Sequence, residues 1–150
     1  MKVRRQRKIL EIIRMRPIET QEELVLALRQ EGFNVTQATV SRDVKELGLV
    51  KLPRENTLCY ASPEDRAAVR RTERLRLLFR DSVLGVDYSE NLVLVKTLPG
   101  EAQGVAAAID RAGWSEVLGT VAGDDTIIVV VKPREVTPII CQRFRELLGR

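Results

Sequence analysis

Two adjacent carboxylates, Asp124 and Asp125, lie in the run Gly119-Thr120-Val121-Ala122-Gly123-Asp124-Asp125-Thr126, between two apolar stretches. Gly-Asp-Asp is good turn chemistry, because aspartate tolerates turn conformations and bonds its own backbone. Neighbouring carboxylates at a strand end also repel each other unless a cation compensates. A planar guanidinium matches them with its fork of donors. A divalent metal is the rival, although it prefers more oxygen ligands than the sequence offers there. Gln103 and Asp110 make a second constellation on a helical stretch after Pro99-Gly100. Seven residues apart, they share a face, and Val105, Ile109 and Ala112 form the roughly opposite, apolar one. Outward polar residues are ordinarily only solvated; these gain a role if another subunit covers them.

A third group of residues suits a polyanion. On a helical wheel of the segment from Gln37 to Leu47, Val40, Val44 and Leu47 fall on one side. Ala38, Arg42 and Lys45 fall on the other, flanked by Ser41 and Thr39. This outer face is small, hydroxylated and basic, as close approach to a major groove requires. Arginine can bond guanine bidentately, and serine or threonine can reach a base edge or a phosphate. Gln37, in the first turn, can reach either. The plain alternative is a solvated surface helix, and the surrounding elements weigh against it.

Those elements are three helices and a hairpin. Ile9, Ile12, Ile13 and then Leu24, Val25, Leu28 recur at helical spacing. Pro17 ends the first helix, Thr20 with Glu23 forms a capping box for the second, and Gly32 closes it. Thr36 caps the third and Gly48 stops it. The short turn between the last two gives helix-turn-helix spacing. Leu49-Val50-Lys51-Leu52 and Leu58-Cys59-Tyr60-Ala61 then read as short strands around a turn at residues 53–57. This hairpin is a candidate wing, with Lys51 and Arg54 placed to touch phosphate and a basic N-terminal arm (Lys2, Arg4, Arg5, Arg7, Lys8) nearby. Ser62-Pro63-Glu64-Asp65-Arg66 reads as a linker running into a charged helix with Val69, Leu75, Leu78 and Phe79 as its apolar positions.

The second half repeats itself. Val83-Leu84-Gly85 recurs 34 residues later as Val117-Leu118-Gly119, with Pro99 matched to Pro133 and Glu101 to Glu135. Each copy reads strand, turn, strand, helix. Two copies predict a four-stranded sheet with helices, its apolar strands largely covered on both faces. The expected fold is therefore an α+β two-domain chain, an N-terminal winged helix-turn-helix followed by an α/β domain of two ββα repeats. The expected boundaries are residues 1–62, a linker and connecting helix at 63–80, and 81–150.

Charge agrees with that division. The 150 residues carry a net charge of +4, but residues 1–75 hold 16 basic and 11 acidic groups while residues 76–150 hold 9 and 10. The basic half invites nucleic acid. The chain has no histidine, which removes His-based triads and His-containing zinc sites. Cys59 and Cys141, each in an apolar stretch, read as buried reduced thiols and cannot form a Cys-only metal site. With no nucleophile–base pair and no ligand cluster, an enzyme is disfavoured and no catalytic or metal residue is assigned. No membrane span and no signal peptide are expected, which predicts a cytoplasmic protein.

Taken together, these residues resemble the bacterial arginine repressors. Thr39-Val40-Ser41-Arg42-Asp43, followed by Glu46-Leu47-Gly48-Leu49-Val50-Lys51, resembles that family's recognition helix and wing entry. Leu98-Pro99-Gly100-Glu101-Ala102-Gln103 with Ile109-Asp110, and Gly119 to Ile127, resemble its ligand-site motifs. The resemblance implies a transcriptional regulator of arginine biosynthesis genes with L-arginine as corepressor and no other cofactor. It implies that Ser41 and Arg42 contact palindromic operator DNA of arginine-box type. It further implies that Asp124 and Asp125 bind arginine between stacked trimers of a homo-hexamer, with Gln103, Asp110, Thr120 and Ala122 lining the same pocket. A winged-helix regulator of a different amino acid is the alternative.

Overall fold

The computed structural model describes Met1–Gly149; Arg150, the last residue of the expected C-terminal domain, lies outside the described residues. The chain divides into two compact units, the first Met1–Ala67 and the second from Ala68 onward. Among the described residues no helix is long and apolar enough to cross a membrane.

The first unit holds helices α1 (Lys2–Met15), α2 (Gln21–Gln30) and α3 (Gln37–Glu46) and strands β1 (Val50–Arg54) and β2 (Thr57–Ala61). Helix α1 stops at Arg16, which takes the extended conformation (φ −147°, ψ 153°) that a following proline demands. The Thr20 hydroxyl accepts the Glu23 N–H at 3.1 Å, and the Glu23 carboxylate accepts the Glu19 N–H at 3.2 Å. Thr36 caps α3 by accepting the Thr39 N–H at 3.3 Å. Ile9, Ile12, Leu24, Leu28, Val40 and Val44 meet in the core. A Thr36→Ala variant is expected to lose about 1 kcal/mol of stability to urea, and Thr36→Ser to recover most of it, because only the capping oxygen differs.

The hairpin is longer and tighter than its sequence suggests. Its strands pair from Val50 opposite Ala61 to Arg54 opposite Thr57, leaving a two-residue loop, Glu55-Asn56, with φ of 51° and 68°. Two consecutive left-handed residues define the turn whose twist matches paired strands. Pro53 joins the strand opposite Leu58 rather than opening the turn, since a two-stranded ribbon has edges where a missing donor costs nothing.

The stretch expected to begin as a linker is helical from Pro63. Ser62 caps α4 (Pro63–Ser82), accepting the Asp65 N–H at 3.1 Å while donating its hydroxyl to the Asp65 carboxylate at 2.8 Å. Proline fits the first helical position because no N–H is needed there.

The second unit adds β3 (Val83–Ser89), β4 (Leu92–Thr97), α5 (Ala102–Ala112), β5 (Val117–Ala122), β6 (Thr126–Val131), a 3-10 turn (Arg134–Val136) and α6 (Thr137–Leu147). The two ββα copies form one antiparallel sheet in the order β3-β4-β6-β5. Val93, Val95, Ile127, Val129 and Val131 point to one face, where they are buried with Leu75, Phe79, Ile109 and Phe144. Phe144 stacks between Phe79 and Trp114, at 5.3 and 5.0 Å. The opposite face is not covered by any of the described residues: Leu92, Leu94, Val121 and Ile128 are exposed. The expectation of two covered faces is corrected in this respect. Strand alternation is present, but apolar residues occupy both phases of it and mask the period.

Cys59 and Cys141 are both buried free thiols, and burial pushes the Cys141 thiol up from its ordinary range.

Candidate functional site

Helix α3 presents the face its periodicity predicts. Val40 and Val44 are buried, Ala38, Arg42 and Lys45 are exposed, and Thr39 and Ser41 are half-buried on the flanks. Gln37 is also exposed, but its amide donates to Glu22 Oε1 at 3.0 Å. Thr39 Oγ1 lies 3.1 Å from Thr36 Oγ1. Ser41, Arg42 and Lys45 make no side-chain hydrogen bond or ion pair among the described residues. Three unengaged donors on a face with exposed Ala38 leave room for a base edge or phosphate.

On the hairpin, Lys51 is exposed with its ammonium 5.2 Å from the Tyr60 ring centre. Arg54 is half-buried and donates Nη1–H to the Ile13 carbonyl at 3.2 Å, which ties the hairpin to the end of α1. One face of that guanidinium is thus structural.

The sequence reading overlooked Asp43, on the inner side of α3. It is 1% exposed and receives two hydrogen bonds from the Arg5 guanidinium, one of them at 3.1 Å, and one from the Gln6 amide at 3.1 Å. Gln6 also donates to Glu46 at 2.9 Å, and Lys2 Nζ lies 2.7 Å from the same carboxylate. Burial pushes the Asp43 carboxyl up, but the Arg5 and Gln6 hydrogen bonds and the Arg5 charge outweigh it and hold the group below its ordinary range. Its place three residues after Val40 was the available signal. The same contacts correct the reading of residues 2–8 as a basic arm. They belong to α1, and Lys2, Arg5 and Lys8 are paired to acids of the same unit.

In the second unit, backbone bonds place the paired aspartates. The Asp124 carbonyl accepts the N–H groups of Gly100 (3.1 Å) and Ala102 (3.3 Å), and the Asp125 carbonyl accepts that of Thr97 (2.8 Å). The β5–β6 turn is thereby held against the start of α5, and both carboxylates face solvent. Farther along, Thr120 Oγ1 is 3.1 Å from each oxygen of the Asp110 carboxylate. Thr120 and Ala122 pair with the buried Val129 and Ile127, so both sit on the helix side of β5. The β5–β6 turn thus lies at the N-terminal end of α5 and the Asp110–Thr120 contact near its C-terminal end, so Asp110, Thr120, Asp124 and Asp125 border one α5–β5 seam, to which no side-chain hydrogen bond joins Gln103 among the described residues.

That seam holds three exposed aspartates, and no protein cation forms an ion pair with any of them among the described residues. Lys96, absent from the sequence-based site, reaches Asp125 only indirectly: its ammonium donates to Thr126 Oγ1 at 2.9 Å, whose hydroxyl donates to Asp125 at 2.9 Å. No three acids or thiols among the described residues are close enough to hold a metal ion. A cleft bordered by Asp110, Trp114, Leu118 and Thr120 adjoins the seam. An organic cation with several donors suits this arrangement better than a bare ion.

Comparison with known proteins places both halves of the chain in one family. Residues 1–67 match the family described as arginine repressor, DNA binding domain, and residues 79–146 match arginine repressor, C-terminal domain. Relatives named arginine repressor include one from Pelotomaculum thermopropionicum, 62% identical over 150 residues and 99% of each chain. Another, from Carboxydothermus hydrogenoformans, is 55% identical over 149 residues and 99% of each chain. A third, from Symbiobacterium thermophilum, is 58% identical over 148 residues and 98% of each.

Proposed function

The chain belongs to the arginine repressor family and is a DNA-binding transcriptional regulator, and from that premise we propose that L-arginine is its corepressor and arginine biosynthesis genes its targets. Residues 1–62 read DNA, residues 63–80 connect, and residues 81–150 bind arginine and assemble the protein in the cytoplasm. Ser41, Arg42 and Lys45 contact a palindromic arginine-box-like operator, with Gln37 and Thr39 at the start of the helix and Lys51 and Arg54 on the wing. Gln103, Asp110, Thr120, Ala122, Asp124 and Asp125 hold arginine.

The observation that carries this reading is the α5–β5 seam, with three exposed aspartates and no ion-paired cation of the protein's own. A guanidinium and an ammonium on one small molecule supply the missing charge and its donors. The uncovered apolar face of the sheet supports assembly into a homo-hexamer, a dimer of trimers, because solvent-facing Leu92, Leu94, Val121 and Ile128 form a patch that a partner would bury. Arginine bound where aspartates of neighbouring subunits approach favours the assembled state by differential affinity. Assembly links several reading heads and raises their effective concentration on paired half-sites. The coupling is reciprocal, so operator DNA tightens arginine binding.

Gel-shift titration of an arginine-box duplex with and without L-arginine tests the reading, alongside calorimetry against a panel of amino acids. Tighter operator binding with arginine is expected; heat of binding from lysine or leucine alone would overturn it. Arg42→Ala is expected to weaken operator binding by about 1–3 kcal/mol without changing the sedimentation of the assembly. Unchanged operator affinity in that variant would mean that α3 is not the reader.

A further inference from the structure

Helix α4 carries six arginines, at positions 66, 70, 71, 74, 76 and 80. Its few acids are Glu64 and Asp65 in the first turn, Asp81 at the end and Glu73 alone between. Arg76 lies 3.8 Å from Glu73 and Arg80 3.3 Å from Asp81. Arg70, Arg71 and Arg74 are all exposed, lie wholly in the second unit, and make no ion pair or side-chain hydrogen bond among the described residues. Arg70 and Arg74 are one helical turn apart, about 6 Å along the axis, and Arg71 and Arg74 are neighbours three apart. Like charges at these spacings oppose helix formation, and the one acid within reach, Glu73, is paired with Arg76. Packing does not account for the residues either: the first buried side chain of α4 is Leu75, and Val69 is 48% exposed.

We propose that Arg70, Arg71 and Arg74 form a phosphate-binding ridge that grips the backbone of duplex DNA, adding sequence-independent affinity to the reading by α3. Guanidinium forks suit phosphate oxygens, and three within about one turn can engage neighbouring phosphates of a strand. Duplex DNA is the favoured occupant because the same chain already binds it. The ridge neutralises phosphates and reads no base, so its contribution falls equally on operator and unrelated sequence.

The test is the salt dependence of binding by the full-length protein, with wild type, R70Q/R71Q/R74Q and R70K/R71K/R74K each titrated against operator and unrelated duplexes across a series of KCl concentrations. The slope of log affinity against log salt changes by about 0.9 for each phosphate that the protein no longer neutralises. The glutamine variant is expected to show a slope shallower by about 2.7 for each engaged ridge, an unchanged ratio of operator to unrelated affinity, and unchanged arginine binding and sedimentation. The lysine variant should keep the wild-type slope. An unchanged slope in a folded glutamine variant overturns the proposal and assigns the ridge to another partner or to none. A weakening confined to operator sequence also overturns it, since that would mean base reading. If the triple glutamine variant does not fold, R74Q alone serves, with an expected change of about 0.9 and the same overturning outcomes.

Discussion

Arg5→Ala is expected to destabilise the N-terminal unit by about 3–5 kcal/mol, the cost of leaving a buried charge without its partner. Asp43 is 1% exposed, and the Arg5 guanidinium supplies two of its three side-chain hydrogen bonds. Urea unfolding of the variant gives the size of the loss. Replacing both residues with apolar side chains of similar volume should restore much of it, because what costs energy is the unpaired carboxylate rather than the absent ion pair. The pH dependence separates this from an ordinary surface bridge. In the wild type the Asp43 carboxyl is held below its ordinary range. Its contribution is therefore present above the unfolded carboxylate pKa of about 4 and is lost as pH falls through the lower folded value. Without Arg5, burial is opposed only by the Gln6 hydrogen bond and the Lys2 charge, so the folded pKa rises from its wild-type value. The variant's deficit should then shrink as pH falls, since protonation removes the buried charge. A loss under about 1 kcal/mol with the same acid limb as the wild type would reduce the pair to a surface bridge. Because Asp43 sits beside Arg42 in α3, the helix proposed to read DNA, operator affinity should follow the stability loss under conditions where folding is marginal.

Asp124→Asn is expected to weaken L-arginine binding by about 2–5 kcal/mol, with Asp125→Asn in the same range, as for removal of one charge from a close pair that the proposed subunit interface would desolvate. Structural and ligand roles are separable at position 124. The backbone carbonyl, not the carboxylate, accepts the Gly100 and Ala102 N–H groups that hold the turn, and asparagine keeps both that carbonyl and the turn preference. The variant should therefore unfold at the wild-type denaturant concentration while calorimetry shows the reduced affinity. It carries a second signature. With fewer aspartates to repel one another, assembly without arginine should be stronger than in the wild type, which sedimentation at matched concentrations would reveal. Full arginine response in both asparagine variants would leave Gly123-Asp124-Asp125 as a turn and nothing more.

Much of this was legible because it is local. Thr20, Thr36, Gly32 and Gly48 act within one helical turn of themselves, so helix ends follow from residue type and spacing. The outer face of α3 follows from a period of 3.6 residues, and the ββα duplication from residues that recur at a fixed offset. Ser62 shows the limit of such reading: a serine before a proline fits a linker or a capped helix equally well, and its bonds to Asp65 make it the second.

The sequence by itself determined the order of elements, the exposed basic face of α3 and the presence of paired aspartates at a strand end, because each depends on neighbours within a few positions. Only the tertiary structure decided which charges are available. Arg5 and Asp43 are 38 residues apart: the helical period sets Arg5, unlike Arg4 or Arg7, on the face of Ile9 and Ile12 but cannot name its partner, and it alone of the three is in an ion pair among the described residues. The same holds for Asp124, whose carbonyl is engaged by the N-terminal turn of α5 while its carboxylate is left to solvent. Charge is a property of a residue type, but its freedom to bind depends on what packs against it, and that is set by contacts between elements distant in the chain.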